Sequence, residues 1–175
     1  MSEKEVCGRR RGRSDAGRRR SGVRRYARRH GTRGEDAGKD IFQANVKVES
    51  TFRFSPGTIR VPSGGTITFQ DTSSNDPHTI TISPKAALPK SQDAPCKACQ
   101  IAAGHLKDPN DPSKGVKAYV LNKGPAGLDE LGDSLAIVPH GPHKTASIVV
   151  SAPAGTTLYF VCAVHPWMQG KIIVK

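Results

Sequence analysis

The sequence predicts an all-β protein folded as an antiparallel β-sandwich. After residue 40, short runs of alternating apolar and polar residues recur, rich in β-branched side chains and separated by turn residues. Helical periodicity is nearly absent from the same region. Short strands of period two joined by turns are typical of a sandwich. The length of 175 residues suffices for one such domain with an appendage.

Seven segments carry the strand pattern, and each alternates so that one face can be buried. The second and third are separated by Pro-Ser-Gly-Gly at residues 62–65, a composition typical of a turn. In chain order, the predicted strands are residues 46–49, 58–61, 66–69, 79–82, 146–150, 157–161 and 171–174.

Residues 1–40 differ from the rest of the chain in composition. They contain no Leu, Ile, Phe or Trp, twelve of them are Arg, and they hold +8 of the net charge of +12. Such a segment buries too little apolar surface to offset the entropy lost on ordering. We therefore predict a disordered Arg-rich tail over residues 1–40 and a folded domain over residues 41–175, and we expect the domain to fold without the tail.

The charge of the tail leaves several interpretations open: a basic arm that binds polyanions, an export signal, a start of translation that lies elsewhere, or a solvated tail without a specific role. We expect no specific nucleic-acid partner. An export signal needs an apolar core of about 7 to 15 residues, and no such core is visible after the arginines. A transmembrane helix needs about 20 apolar residues, so no transmembrane segment is predicted.

A long insertion interrupts the strand pattern between about residues 83 and 135. It is rich in Pro, Lys and Asp, and a segment of this length inside a compact domain is often functional. We predict a short helix over residues 95–106, with Asp93 as its cap and Pro95 in its first turn. A second helical turn is predicted over residues 126–131.

The segment between the last two predicted strands carries residue types that bind metals. Cys162, His165 and Met168 follow one another at steps of three, and Met168 is the only methionine after the initiator. A thiolate, an imidazole and a weak axial thioether are three ligands of a blue copper site, whose fourth is a second imidazole. His78 is the best candidate for that fourth ligand, because it follows a turn and opens the strand at residues 79–82.

Each of these residues also has an ordinary structural interpretation. Cys162 fits a small buried hydrophobe, Met168 fits core packing, and His165 fits the surface of a hairpin. A nucleophilic Cys–His pair is the enzymatic alternative, but the loop shows neither an orienting group nor an oxyanion hole. The ordered set between two strands favours the metal site.

At the level of families, residues 41–175 resemble the cupredoxins, the plastocyanin and azurin type of blue copper protein. The loop from Cys162 to the last strand is similar to that of the amicyanin branch, and residues 54–69 resemble the amino-terminal half of the family. The resemblance implies a Greek-key β-sandwich with one type 1 copper site. Its equatorial ligands would be His78, Cys162 and His165, and its axial ligand Met168.

Two features depart from the family pattern. Thr79 follows the first histidine ligand, where many cupredoxins have an Asn that ties the two ligand loops together. A hydroxyl would have to make that hydrogen bond here. The insertion at residues 83–135 has no counterpart in the small electron carriers of the family.

The insertion also contains a Cys-x-x-Cys pair, Cys96 and Cys99. Haem attachment needs a His directly after the second Cys, and Gln100 stands there. A disulfide is the favoured interpretation, because oxidising compartments promote it and the resembling proteins usually work there. The alternative is a second zinc or copper site that adds nearby histidines. The histidines concerned are His105 together with His140 or His143. Cys7, in the tail, has no expected partner.

The resemblance implies a monomeric one-electron carrier in the periplasm or outside the cell, although no signal peptide is visible in this chain. Its redox partner would dock near His165, Pro166 and Trp167. The alternative is a protein that transports or buffers copper. An enzyme is not expected, because the copper oxidases and nitrite reductases with a similar loop have His directly before the cysteine, where this chain has Val161.

Overall fold

The computed structural model describes residues 31–45, 47–72, 76–105, 116–124 and 126–175. Within these ranges the structure is mostly β, as predicted. The strands are β1 Gly31–Ala37, β2 Asp40–Gln43, β3 Lys47–Ser50, β4 Arg53–Ser55, β5 Thr58–Val61, β6 Thr66–Gln70, β7 His78–Ser83, β8 Val120–Leu121, β9 Ser134–Ile137, β10 Thr145–Val149, β11 Thr157–Val161 and β12 Gln169–Val174. The helical elements are α1 Lys97–Ala102 and three 3-10 turns, Lys85–Ala87, Ala103–His105 and Pro142–Lys144.

The strands form two larger sheets and one small hairpin. The first sheet has the order β10-β6-β1-β4, the second has the order β5-β12-β11-β7-β9-β8, and β2 pairs with β3. The chain alternates between the sheets, since β5 lies in the second, β6 in the first and β7 in the second again. The predicted all-β Greek-key sandwich is confirmed. The expectation that every pair is antiparallel is wrong, because β1 runs parallel to β6 and β5 parallel to β12.

Side chains from both sheets meet in one core. Phe54, Phe69 and Phe160 pack edge to face at centroid separations of 5.0–6.3 Å. Aliphatic residues such as Ile67 and Ile172 are fully buried around them. Because edge-to-face aromatic packing contributes beyond the area it buries, this cluster helps to hold the two sheets together.

Strand β1 corrects the predicted boundary of the tail. Gly31–Ala37 lies between β6 and β4 inside the first sheet, so residues 31–40 belong to the fold. The strand escaped prediction because it carries no large apolar side chain. A strand between two neighbours is held by main-chain hydrogen bonds, and a Cβ at Gly34 would lie 2.7 Å from the Phe69 ring. The predicted disorder of residues 1–30 concerns a segment outside the described residues.

The insertion is part of the sandwich rather than a separate loop. Its strand β9 pairs with β7, and β8 pairs with β9, which extends the second sheet by two strands. Helix α1 packs on β7, so all six residues of that strand are buried. The predicted strand at residues 79–82 is confirmed within β7, and both of its faces are buried because the sheet and helix α1 cover them.

The predicted helix over residues 95–106 is confirmed over Lys97–Ala102 and continues as a 3-10 turn to His105. Its cap is not Asp93. The Cys96 sulfur accepts a hydrogen bond from the Cys99 N–H at 3.1 Å. No described helix has the length and apolarity needed to cross a bilayer.

The second helical turn predicted over residues 126–131 is wrong, because this segment folds as bends. The Asp133 carboxylate accepts the N–H groups of Asp129 and Glu130 at 3.0 and 2.9 Å, and that of Lys123 at 3.2 Å. These hydrogen bonds satisfy the main chain without a helix.

Candidate metal centre

Three of the four predicted ligands meet at one end of the second sheet. His78 opens β7 and Cys162 follows β11, and these strands are antiparallel neighbours. His165 lies three residues further on, in the loop before β12. The Cys162 Sγ atom is 3.8 Å from Nδ1 of each histidine, and the two Nδ1 atoms are 3.2 Å apart. All three side chains are buried.

The loop that carries Cys162 and His165 is closed by main-chain hydrogen bonds through Met168. The Met168 N–H donates to the His165 carbonyl at 2.8 Å, and the Met168 carbonyl accepts from the Cys162 N–H at 2.9 Å. The Met168 side chain is buried in the same core cluster as Cys162. The main chain of Met168 is therefore hydrogen bonded to both ligand residues of the loop, and its role as axial ligand stays a prediction.

Thr79 ties the two ligand loops together. Its main-chain N–H donates to Cys162 Sγ at 3.4 Å, and its hydroxyl oxygen accepts the Ala163 N–H at 2.8 Å. The Thr79 hydroxyl thus makes a hydrogen bond between the segments that carry His78 and Cys162. A buried N–H aimed at a sulfur also stabilises negative charge on that sulfur.

Aromatic side chains hold both imidazoles. The Phe52 ring lies 5.2 Å from the His78 ring and 5.0 Å from the His165 ring, measured between centroids. The Trp167 ring also contacts His165, with its centroid 5.2 Å away. Phe52 was not identified from the sequence, because nothing in its neighbourhood of the chain connects it with residues 78 or 165.

A buried carboxylate faces the far side of His78. Asp36 Oδ2 lies 3.5 Å from His78 Nε2, an ion-pair distance rather than a hydrogen bond, and both side chains are fully buried. The Thr72 N–H donates a hydrogen bond of 2.6 Å to Oδ1 of the same carboxylate. Carboxylates in this position orient histidine ligands in metal sites. Asp36 belongs to β1, in the segment predicted to be a tail, so sequence reasoning missed it.

Burial sets the proton state of all three donors. It raises the pKa of the Cys162 thiol, against the opposing hydrogen bonds from Thr79, His165 and Val164. It lowers the pKa of His78, against the charge of Asp36. The pKa of His165 is lowered by burial first and by His78 second. At neutral pH the metal-free site therefore holds a thiol and two neutral imidazoles, and both imidazoles are ready to bind a cation.

The donor set fits a copper ion. The ligand atoms of His78, Cys162 and His165 all lie within 4.8 Å of one another. Two donors bound to one ion at about 2.0–2.3 Å are separated by about 3.3–3.8 Å at tetrahedral or trigonal angles. The observed separations of 3.2–3.8 Å agree with this. Two imidazoles and one thiolate with a nearby thioether form the donor set of blue copper sites.

The predicted alternative of a second metal site in the insertion is wrong. Cys96 and Cys99 form a disulfide with an S–S distance of 2.00 Å, as the favoured interpretation predicted. Both ring nitrogens of His105 are hydrogen bonded, to Ala118 and to Ser134. The remaining candidates lie elsewhere: His140 is exposed, and His143 stacks on Tyr119 at 3.4 Å.

No protein-family model matches the sequence, and no curated protein matches it. Among solved structures, reduced auracyanin from Roseiflexus castenholzii is 20% identical, with a TM-score of 0.44 over 83% of this chain and 96% of that one. Auracyanin A, a "blue" copper protein from Chloroflexus aurantiacus, is 23% identical, with a TM-score of 0.40 over 70% and 89%. Oxidised plastocyanin from Dryopteris crassirhizoma is 18% identical, with a TM-score of 0.38 over 82% and 100%. Likeness at this level does not assign a function.

Proposed function

We propose that this protein is a type 1 copper protein that carries single electrons. The observation that carries the proposal is the buried Cys162 sulfur, 3.8 Å from the Nδ1 atoms of His78 and His165. These three residues would be the equatorial ligands and Met168 the axial one. Copper, when bound, supplies a one-electron couple between Cu(I) and Cu(II).

The residues around the site favour electron exchange without rearrangement. Phe52 contacts both imidazoles, and Thr79 ties the loops of His78 and Cys162 together. A centre whose ligands are held in place before the electron arrives needs little reorganisation. The Thr79 N–H at the sulfur is placed to tune the reduction potential.

His165 is the proposed exit for the electron. It is 7% exposed, and it contacts Trp167, which is 37% exposed. Val164, on the same loop, is 43% exposed. We define the docking patch as Val164, Pro166 and Trp167 around the His165 edge. A small apolar patch on a carrier suits a weak, short-lived complex with a redox partner.

Two further features of the chain, a disulfide and the residue before Cys162, support the proposed compartment and class of protein. The Cys96–Cys99 disulfide supports a location in the periplasm or outside the cell, because cytosolic thiols are kept reduced. Val161 precedes Cys162 in place of the histidine found in the copper enzymes with a similar loop. We therefore propose a monomeric carrier rather than an enzyme.

The test is a redox cycle on the copper-loaded protein. Ascorbate should bleach its colour, ferricyanide should restore it, and copper should stay bound through repeated cycles. Cys162→Ser should abolish the colour, whereas His140→Ala, at an exposed histidine outside the site, should leave it unchanged. Loss of copper on reduction would contradict an electron carrier.

A copper carrier is the alternative, since soft sulfur ligands also retain Cu(I). Met168→Leu separates the two. In an electron carrier the long axial bond mainly tunes the potential, so the variant should keep copper and colour and raise the potential. In a copper carrier the same change should weaken Cu(I) retention more than it shifts the potential. Potentiometry and a Cu(I) competition assay on this one variant decide between them.

A further inference from the structure

A groove lies beside the docking patch, between the loop before β12 and the first residues of the insertion. Its volume is about 740 Å³, and its lining includes Lys85, Leu88, Pro89, Lys90, Trp167 and Gln169. We call it the lysine groove. Trp167 belongs both to this groove and to the docking patch, and its ring centroid is 5.2 Å from that of His165. The groove is therefore continuous with the surface through which the electron is proposed to leave.

Two hydrogen bonds fix the walls of the lysine groove relative to each other. The Gln169 Nε2 amine donates to the Pro166 carbonyl at 2.9 Å and to the Pro89 carbonyl at 2.7 Å. One side-chain amide thus joins the loop before β12 to the insertion. Leu88 packs against the buried cluster that includes Val161. Because a partner does not have to order these walls, binding costs little conformational entropy on this side.

The charged side chains of the lysine groove all have the same sign. Lys85 and Lys90 are exposed, and no acidic side chain lines the groove. Lys85 Nζ lies 5.7 Å from the centroid of the Tyr159 ring, and Lys171 pairs with Tyr159 in the register of β11 and β12. Three lysines therefore lie in the groove or next to it.

Acidic side chains do not neutralise these lysines within the described residues. Asp129 and Glu130 line a neighbouring cleft that also includes Lys85. In the part of the chain that the structure describes, no ion pair joins either carboxylate to Lys85, Lys90 or Lys171. These lysines are therefore available to the carboxylates of another molecule.

The position of the charges favours a protein partner over a small anion. Sites for small molecules bury most of the ligand, whereas Lys85 and Lys90 are exposed and Trp167 is 37% exposed. Exposed charges around an apolar contact steer two proteins together, and they increase the association rate more than the affinity. This combination suits the short-lived complexes of an electron carrier.

We propose that the lysine groove receives a carboxylate-rich segment of the redox partner, while the docking patch covers the edge of His165. This inference rests on the proposed function, because it gives the chemistry of the partner in that electron transfer: a protein with a negatively charged surface beside its own redox centre. It also gives the insertion a role, since the insertion supplies Lys85 and Lys90.

The first test uses the metal-free protein, with the peptide hexaglutamate as the probe. Trp167 is the only tryptophan of the chain, so its fluorescence reports occupation of the groove. We expect a saturable change of fluorescence in low-salt buffer, and added salt should weaken the binding because it screens the charges. The double variant Lys85→Gln with Lys90→Gln should weaken the binding about 3- to 10-fold, as expected for two exposed charge pairs.

Two matched variants separate the groove from the overall charge. Lys123→Gln with Lys175→Gln removes the same charge at exposed positions, after β8 and after β12, and should leave hexaglutamate binding unchanged. Lys85→Arg with Lys90→Arg keeps the charge and should keep the binding. Absence of a fluorescence change would overturn the proposal. Equal binding by the unaltered protein and by Lys85→Gln with Lys90→Gln would also overturn it, because the peptide would then bind elsewhere, for example on the arginine runs near the start of the chain.

The second test measures the effect of the same lysines on electron transfer in the copper-loaded protein. Its Cu(I) form gives one electron to ferricyanide, an anion, or to tris(phenanthroline)cobalt(III), a cation, and no atom is transferred. Lys85→Gln with Lys90→Gln should slow the first reaction about 10-fold at low ionic strength and accelerate the second. Unchanged rates would overturn the proposal, and so would equal changes in the variant at Lys123 and Lys175.

The lysine groove and the copper site can fail separately. Hexaglutamate binding to the metal-free protein does not depend on copper, so its result stands even if the proposed function is wrong. Conversely, a groove that binds no carboxylates leaves the colour of the copper-loaded protein and its cycle with ascorbate unchanged.

Discussion

At the scale of single residues, Asp36 shows how far the metal centre extends beyond its ligands. A buried carboxylate lies 3.5 Å from Nε2 of His78, while Nδ1 of the same ring faces Cys162. Losing such a partner typically costs 10- to 100-fold in metal affinity. The role of Asp36 is therefore measurable as affinity.

We expect Asp36→Asn to weaken copper binding by about 10- to 100-fold. The amide preserves the shape of the side chain and an acceptor for the Thr72 N–H, so folding should be retained. Competition with a chromogenic Cu(I) chelator measures the change, and Asp93→Asn, at an exposed residue of the insertion, is the control. Equal affinity for Asp36→Asn and the unaltered protein would contradict a role for Asp36 in holding His78.

The buried histidines also predict how the metal-free protein responds to acid. Burial lowers the pKa values of His78, His105 and His165 from 6.5. Below pH 6.5 the unfolded chain therefore binds more protons than the folded one, so stability is full above this pH and falls as the pH drops. Urea midpoints at about pH 7.5 and 5.5 measure the effect. A midpoint that stays constant or rises on acidification would contradict neutral buried rings.

At the scale of elements, β1 decides where the domain begins. The strand lies between β6 and β4, and it carries Asp36. Deleting residues 1–40 removes β1, so we expect a large loss of stability and of copper binding. Deleting residues 1–30 leaves every described strand in place, so we expect an unchanged melting temperature.

Thermal melting of the two truncated proteins, with and without copper, measures the difference. The shorter deletion is the matched control for the longer one, because both remove the same arginine runs. Equal melting temperatures for the two truncations would show that β1 contributes nothing to the fold.

Elements with an apolar pattern could be predicted from the sequence, and elements without one could not. The strand predicted at residues 157–161 matches β11 because its apolar residues alternate, whereas β1, Gly-Thr-Arg-Gly-Glu-Asp-Ala, offers no such signal. Strand β9 also lies where a long loop was expected, since its pairing partner β7 is about fifty residues away in the chain. The local periodicity of a sequence does not predict which distant strands pair with each other.

The same limit applies to the site. Cys162 and His165 are predictable because their spacing of three is local, and His78 because it opens a strand after a turn. Asp36 and Phe52 reach the site only through tertiary structure. The local pattern thus predicts metal-binding groups, but not the residues that orient them.

At the scale of the whole molecule, the proposed copper site lies at one end of the second sheet. The docking patch belongs to the same loop as Cys162 and His165. Electron exchange between two copies requires their docking patches to meet. If a positive charge is added to the docking patch, the two copies repel each other when their patches meet, and salt screens this repulsion.

We therefore expect Val164→Lys to slow electron self-exchange and added salt to restore the rate. Val120→Lys is the control, because Val120 is similarly exposed, at 45%, but belongs to β8 at the far edge of the second sheet. Line broadening in mixtures of reduced and oxidised protein gives the rate. Equal slowing by both variants would show that overall charge, and not the patch, governs the encounter.

We propose that Cys162 binds copper together with His78 and His165. The most direct test is the visible absorption and electron paramagnetic resonance spectrum of the protein with one equivalent of Cu(II). We expect an intense blue or green colour, because charge transfer from a thiolate to Cu(II) absorbs strongly, and a single copper species that Cys162→Ser removes. A colourless Cu(II) complex of ordinary affinity would contradict the type 1 site.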